Sequence, residues 1–170
     1  MAEAAGIGIA SLYRYYPSKL DLVLAVNTWA WTNYLSQNPL PISDQMTGAK
    51  KFEAHLNSFL DLYRTHKDLL RFNQFFNVYI QSEDITADQM QDYLQLIQRL
   101  EKPFAATCRK GQEDGTIKTD LSEKKMFSVT LHLMLAAVTR YAVGLAYNEE
   151  TDAEAELELL KELLMDRFTK

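Results

Sequence analysis

The stretch that decides the fold is AEAAGIGIASLYRYYPSKLDLVLAV, residues 2–26. It predicts two short helices around a turn at Gly6, because glycine adopts the left-handed backbone that a tight turn often needs. The second short helix is IASLYRY, residues 9–15. From Ala5 to Lys19 there are two cations and no acid. Two short helices joined by such a turn form a helix-turn-helix, whose second helix fits the major groove of DNA.

After Pro17 nearly every segment has helical periodicity. Ser18 with Asp21 predicts a capping box, and Pro39 and Pro41 predict a loop of about ten residues. Pro103 is expected to kink a long helix. The predicted helices cover residues 18–36, 49–66, 67–81, 86–113, 122–147 and 151–168. No strand pattern or repeat competes, so the fold class is all-α, with a helix-turn-helix head at residues 1–20 and a body at residues 21–170.

Composition sets the broad class of protein. The chain has 170 residues, of which 47% are hydrophobic, and this suits one domain with a small appendage. We expect no membrane span and no signal peptide, and therefore a cytoplasmic protein. The single cysteine, Cys108, fits a reducing compartment and is expected to be a buried helix residue. A net charge of -5 argues against nonspecific nucleic-acid binding by the whole chain, so DNA contact is expected only at its basic start.

The opening stretch resembles the TetR family of bacterial transcriptional regulators. The resemblance lies in an Ala-Gly turn, a recognition helix that ends in Tyr-Arg-Tyr-Tyr, and a Pro-Ser-Lys link into the next helix. A later stretch, GQEDGTIKTDLS at residues 111–122, is similar to the connection that often precedes the last two helices of this family. The resemblance implies a DNA-binding head and an all-helical body that holds a small molecule and dimerises. It also implies a homodimer that usually represses from a near-palindromic operator on the bacterial nucleoid until an effector moves the helix after the head.

One departure from the family is visible at the start of the sequence. Family members have a complete helix before the helix-turn-helix, whereas this sequence begins within the second helix. We therefore expect residues 1–170 alone to bind DNA poorly, because the recognition helix would lack one of its two packing partners.

The resemblance assigns the candidate DNA-binding residues. Without it, Tyr13 and Tyr15 would be interpreted as core aromatics of a short helix. With it, they join a set of phosphate contacts, which fix register and give salt dependence, beside base contacts, which give sequence preference. The phosphate set is Tyr13, Arg14, Tyr15 and Lys19, and the base set is Ile9, Ala10 and Ser11.

The body is rich in aromatic residues, most of which a helical core needs. Some must line the pocket that the resemblance implies, and they suggest an apolar or aromatic ligand of moderate size, oriented by one or two polar groups. The candidates are Trp31, Phe59, Tyr63, Phe75, Tyr79, Tyr93, Ile97 and His132. For His132 a hydrogen-bonded core position is the competing interpretation.

The last two helices carry apolar stripes that are wider than one buried flank requires. Each helix can bury one flank internally and offer the other to a second copy, which predicts a four-helix homodimer interface. The candidate interface residues are Val129, Leu133, Ala137, Tyr141, Ala153, Leu157, Leu160 and Leu164. The alternative is a pair of core helices in a monomer.

Other functions find little support in the sequence. The three histidines show no metal-ligand spacing, and no nucleophile with a base can be argued, so we expect no metal, no cofactor and no enzymatic activity. Two alternatives to a DNA-binding regulator stay open: a helical small-molecule-binding dimer without DNA-binding activity, and a purely structural helical dimer without a pocket.

Overall fold

A computed structural model describes residues 6, 8–144 and 152–170 of the chain. These residues form seven helices, joined by short connections, and an isolated bridge between Ile117 and Thr169. The all-α fold class is confirmed. The helices are α1 (Ile9–Tyr15), α2 (Lys19–Gln37), α3 (Gly48–Thr65), α4 (Lys67–Ile80), α5 (Ala87–Glu113), α6 (Glu123–Val143) and α7 (Ala153–Phe168).

The helix boundaries follow local chemistry. Ser18 and Asp21 form the predicted capping box at the start of α2, and Thr86 with Gln89 forms a second one at the start of α5. Gly6 has a φ of 66°, the left-handed backbone that its predicted turn requires. The predicted first short helix and the predicted helical residues 145–147 and 151 lie outside the described residues.

The main core lies between α3, α5, α6 and α7. Phe104 packs edge to face on Phe52 and Phe127, with ring centroids 5.7 Å and 5.5 Å apart. Cys108 is fully buried beside them in the same cluster, and burial raises the pKa of its thiol to about 12. Each fully buried aromatic side chain contributes about 1.5–3 kcal/mol, so this cluster is a principal source of the body's stability.

Helices α3 and α5 cross with their backbones in contact. A Cβ added at Gly48 would lie 2.0 Å from the Cα of Gly111, so neither helix accepts a side chain at that point. The connection after α5 also caps α3: Asp114 accepts a 2.8 Å hydrogen bond from the Gly48 backbone, and Thr116 accepts one of 3.0 Å from Ala49. The crossing therefore fixes the position of α3 relative to α5 in the body.

A second, smaller cluster holds the first half of α2. Leu20, Leu24 and Phe76 are buried there, on α2 and α4. Further along α2, Trp31 belongs to the main core. Asn27 lies between these two regions and is fully buried. Helix α2 therefore bridges both clusters.

Helix α6 is apolar around most of its circumference. Its length and its mean hydropathy of 1.4 over 18 residues would suffice to cross a membrane by composition alone. In this fold it packs on α3, α4, α5 and α7. Buried core helices share this composition, because they meet apolar neighbours on several sides.

Candidate functional site

Helix α1 lies on the surface and contacts no other described helix. None of its residues is buried, and Tyr13 and Tyr15 are 53% and 71% exposed. These two tyrosines are therefore not core aromatics. The Arg14 guanidinium lies 5.7 Å from the centre of the Tyr15 ring. All seven candidate DNA-binding residues keep at least part of their side chains accessible, and Ile9 is 68% exposed.

The link from α1 into α2 is anchored to the body. Asp21 accepts hydrogen bonds from the Ser18 backbone at 3.1 Å and from the Gln89 amide at 2.8 Å. The bonds from Gln89 and Ser18 lower the pKa of the Asp21 carboxyl. The Lys19 ammonium lies 4.6 Å from the centre of the Tyr79 ring. Both contacts hold the start of α2 against α4 and α5, next to the exposed α1.

A cavity of about 460 Å³ lies in the body. Helices α2 to α6 line it, and α2 contributes Trp31, Tyr34 and Leu35. Its size and its largely apolar wall are typical of a small-molecule site. Five of the eight candidate ligand residues are among those that line it: Trp31, Phe59, Tyr93, Ile97 and His132.

The structure places the other three candidates elsewhere. Phe75 is on the outer side of α4 and 73% exposed. Tyr79 packs in the small cluster with Lys19 above its ring. Tyr63 is buried in the main core beneath the Lys67 ammonium, which lies 4.4 Å from its ring centre. Sequence periodicity indicates that such residues share a helix, but not which flank of the helix meets the cavity.

The sequence analysis named the wall residue His132 but missed other polar residues of the wall, among them His55 and Asn73. His55 lies in the wall with its Nε2 3.1 Å from the Thr107 hydroxyl, and burial lowers the pKa of this imidazole to about 4. It is therefore neutral at pH 7. None of the described lining residues is Asp, Glu, Lys or Arg. An uncharged ligand body therefore suits this cavity best.

Asn73 connects the cavity to α2. Its Oδ1 accepts a hydrogen bond of 3.3 Å from the Trp31 indole N–H. Because an indole can only donate, the oxygen of the amide must face Trp31, and the NH₂ group remains to serve another acceptor. Asn73 is only 4% exposed, so few other partners can reach it.

The candidate dimer residues divide into three groups by their exposure. Leu157 and Leu164 are 1% and 4% exposed within the chain's own core, so their assignment to an intermolecular contact is corrected. Leu133 is 46% exposed. The other five are partly buried against the core: Val129, Ala137, Tyr141, Ala153 and Leu160. The Tyr141 hydroxyl donates to Glu156, which joins α6 to α7.

Two leucines on the outer flank of α7 were not among the candidates. Leu159 and Leu163 are 54% and 57% exposed. They are one helical turn apart, so they form a continuous apolar strip on the surface. Both leucines belong to the wide apolar stripe of the last helix, but the sequence does not indicate which residues of that stripe are buried and which are exposed.

Comparison with known proteins gives a family match for the start of the chain and a shared fold for the chain as a whole. Residues 1–26 match the family of bacterial regulatory proteins called tetR. No curated protein matches the chain. Among solved structures, the chain is similar to the transcriptional regulator FadR from Bacillus subtilis in complex with stearoyl-CoA, with 17% identity, a TM-score of 0.71, and coverage of 96% of this chain and 84% of that one.

Two further structures share the fold. One is the ketosteroid transcriptional regulator KstR2 of Mycobacterium tuberculosis, with 15% identity, a TM-score of 0.59, and coverage of 99% and 82%. The other is a tetR-family regulatory protein from Rhodococcus RHA1, with 10% identity, a TM-score of 0.67, and coverage of 97% and 82%. The start of the chain therefore matches the tetR family, and the likeness to these solved structures shows that the chain shares their all-helical fold.

Proposed function

We propose that this protein is a homodimeric repressor that leaves a near-palindromic operator when a small apolar or aromatic effector enters the cavity. The observation that carries the proposal is the course of α2, which begins beside the exposed α1 and ends in the cavity wall. A ligand that packs against one end of a rigid helix changes the free energy of its position at the other end.

The DNA side of the proposal rests on α1. Its exposed hydroxyl and guanidinium groups suit phosphate contact, and Lys19 lies where the next helix begins. In a dimer, two such helices must meet successive major grooves about 34 Å apart. A small change in the tilt of α2 would spoil that spacing.

The effector side rests on the cavity wall. Trp31 on α2 donates to Asn73 on α4, so a ligand that hydrogen-bonds Asn73 acts on α2 through a single side chain. The stearoyl-CoA bound to the structurally similar FadR contains a long apolar chain, which supports an apolar effector body here as well.

The dimer side rests on the exposed apolar residues of the last two helices. Leu133, Leu159 and Leu163 are each about half exposed. Packing these strips against the same strips of a second copy would bury them in a four-helix arrangement. Such a contact is isologous, as a near-palindromic operator requires.

The test combines operator selection with effector release. Duplexes are selected from a random pool by residues 1–170, and a parallel selection uses a version with a family helix added upstream. Affinity is then measured by fluorescence anisotropy while hydrophobic compounds are screened by thermal shift. We expect a two-fold symmetric site and at least one stabilising compound that lowers operator affinity.

A matched pair of variants separates the cavity from general effects. Ile97→Trp fills the cavity and should leave operator binding intact while abolishing release. Leu94→Trp, on the exposed side of the same helix, should behave as wild type. Selection of no duplex by either version, or release that persists in Ile97→Trp, would contradict the proposal.

A further inference from the structure

A second cleft adjoins the ligand cavity. It encloses about 440 Å³ between α4 and α6. Four residues line both spaces: Asn73, Asn77, His132 and Leu135. The two spaces are therefore separated by a single layer of side chains and can be occupied by one molecule.

The cleft differs from the cavity in its chemistry. It is lined by Arg140, Gln74 and Thr139 in addition to the shared residues, and no described lining residue is acidic. Within residues 8–144 and 152–170, the Arg140 guanidinium has neither an ion pair nor a hydrogen bond. A cation without an acidic partner, among neutral amides, favours an anion.

Thr139 gives a second and independent indication. It is 6% exposed, and its Oγ1 has no hydrogen-bond partner in the described structure. A buried hydroxyl without a partner is unfavourable, and a bound polar group would satisfy it. Asn73, at the boundary, has its oxygen engaged by Trp31 and therefore offers N–H donors to the shared wall.

We propose that the effector is an amphipathic anion, with its apolar body in the cavity and one carboxylate- or sulfonate-type group in the cleft at Arg140. This inference rests on the proposed function, since it takes the cavity as the effector site. The cleft lies where α6 faces α4, and its lining residues include none of Leu133, Leu159 and Leu163, which carry the proposed dimer contact. The anionic group selects the ligand, and the apolar body supplies most of the buried contact.

Two probes with the same rings test the assignment. One is 8-anilinonaphthalene-1-sulfonate, and the other is N-phenyl-1-naphthylamine, which lacks the sulfonate. Both become fluorescent in an apolar site, so the full chain is titrated with each. We expect one site per chain, a preference of about tenfold for the sulfonate, and a preference that weakens as salt increases.

Three variants locate the preference. Arg140→Gln should reduce the preference to about twofold or less without changing binding of the neutral probe. Arg140→Lys should retain most of it. Arg99→Gln removes the same charge from the exposed face of α5, away from both spaces, and should match wild type. Thermal melts confirm that each variant is folded.

The remaining outcomes overturn the inference. Equal affinity for the two probes, an unchanged preference in Arg140→Gln, or an equal loss in Arg99→Gln would each refute a head-group site at Arg140. If the neutral probe still binds in those cases, and Ile97→Trp removes it, the proposed apolar effector site stands. If neither probe binds, the inference falls together with the apolar effector.

Discussion

Replacing Asn27 by leucine should stabilise the protein. The Asn27 side chain is fully buried on α2, and neither its Oδ1 nor its Nδ2 has a hydrogen-bond partner within the described residues. An amide that loses its water without gaining a partner opposes folding. Leucine has the same branched shape without the polar atoms, so it can occupy the site with little rearrangement.

The size of the effect follows from the two unsatisfied atoms. Leaving a buried polar group without a partner costs about 1–3 kcal/mol. We therefore expect Asn27→Leu to raise the free energy of unfolding by about 1–3 kcal/mol. For a chain of this length, 1 kcal/mol shifts the melting temperature by roughly 2–4 °C, so the variant should melt about 2–12 °C higher.

Urea denaturation followed by circular dichroism at 222 nm measures this difference. Asn27→Ala is the matched control, because it removes the same polar atoms but leaves a cavity and should not gain stability. The reasoning is refuted if Asn27→Leu is less stable than wild type by 1 kcal/mol or more. Such a loss would mean that the amide is hydrogen-bonded in the folded protein.

Three further predictions concern the core, the helix crossing and the DNA contact. The pKa of buried His55 lies near 4 and that of an unfolded histidine near 6.5, so the folded protein resists protonation of this residue. The contribution of neutral His55 to the free energy of unfolding is therefore fully present above pH 6.5, and it should fall by about 2–3 kcal/mol as the pH drops toward 4. In urea titrations at pH 7.5 and 4.5, His55→Gln should lack this contribution and His132→Gln should keep it; equal behaviour of the two would contradict the assignment. Gly48→Ala should lower the free energy of unfolding by about 3 kcal/mol or prevent folding, whereas Gly8→Ala, with open space around its Cβ, should change it by less than about 1 kcal/mol; a stable Gly48→Ala would disprove backbone contact at the crossing. Lys19→Ala should weaken binding to the selected and to random duplexes alike and reduce the salt slope by about one, as measured by anisotropy, and a loss confined to the selected duplex would show a base contact instead.

The helices could be predicted because their determinants are local. Ser18 and Asp21 are three residues apart, and that spacing alone specifies the cap of α2. Pro39 and Pro41 mark the ten residues that separate α2 from α3 in the same way. Within the described residues, the predicted helix boundaries are therefore close to the observed ones except at the end of α6. The predicted helix continues through residue 144, whereas α6 ends at Val143, where Gly144 adopts a φ of 104°.

The cavity could be predicted only in part, because its wall is made by long-range contacts. Trp31 is a candidate because it is an aromatic residue on a helix that the resemblance places around the ligand, but its partner Asn73 is 42 positions away and carries no local pattern. The same limit explains why Phe75 was wrongly expected to line the cavity. Its exposure depends on which flank of α4 packs on α6, and helical periodicity does not specify that flank. Polar residues of the cavity wall such as Thr130 look like ordinary helix residues in a sequence.

The exposed apolar strip of α7 shows a related limit of the sequence analysis. Leu157 and Leu159 are two positions apart on α7, so their side chains lie on different flanks of the helix. In the sequence both belong to the same wide apolar stripe. Only the packing of α7 against α3 and α6 decides that Leu157 is inside and Leu159 outside.

Helix α2 is attached to the body at two places. Its first half is held by the small cluster and by the cap at Asp21, and its second half by the cavity wall through Trp31. The unsatisfied Asn27 lies between these two attachments, so the observed packing is less stable there than an apolar side chain would make it. A tilt of α2 requires the least free energy at the part around Asn27, because few favourable contacts are lost there. We therefore expect Asn27→Leu, besides raising stability, to reduce the change in operator affinity that an effector produces, and equal release by wild type and variant would show that α2 does not move at this point.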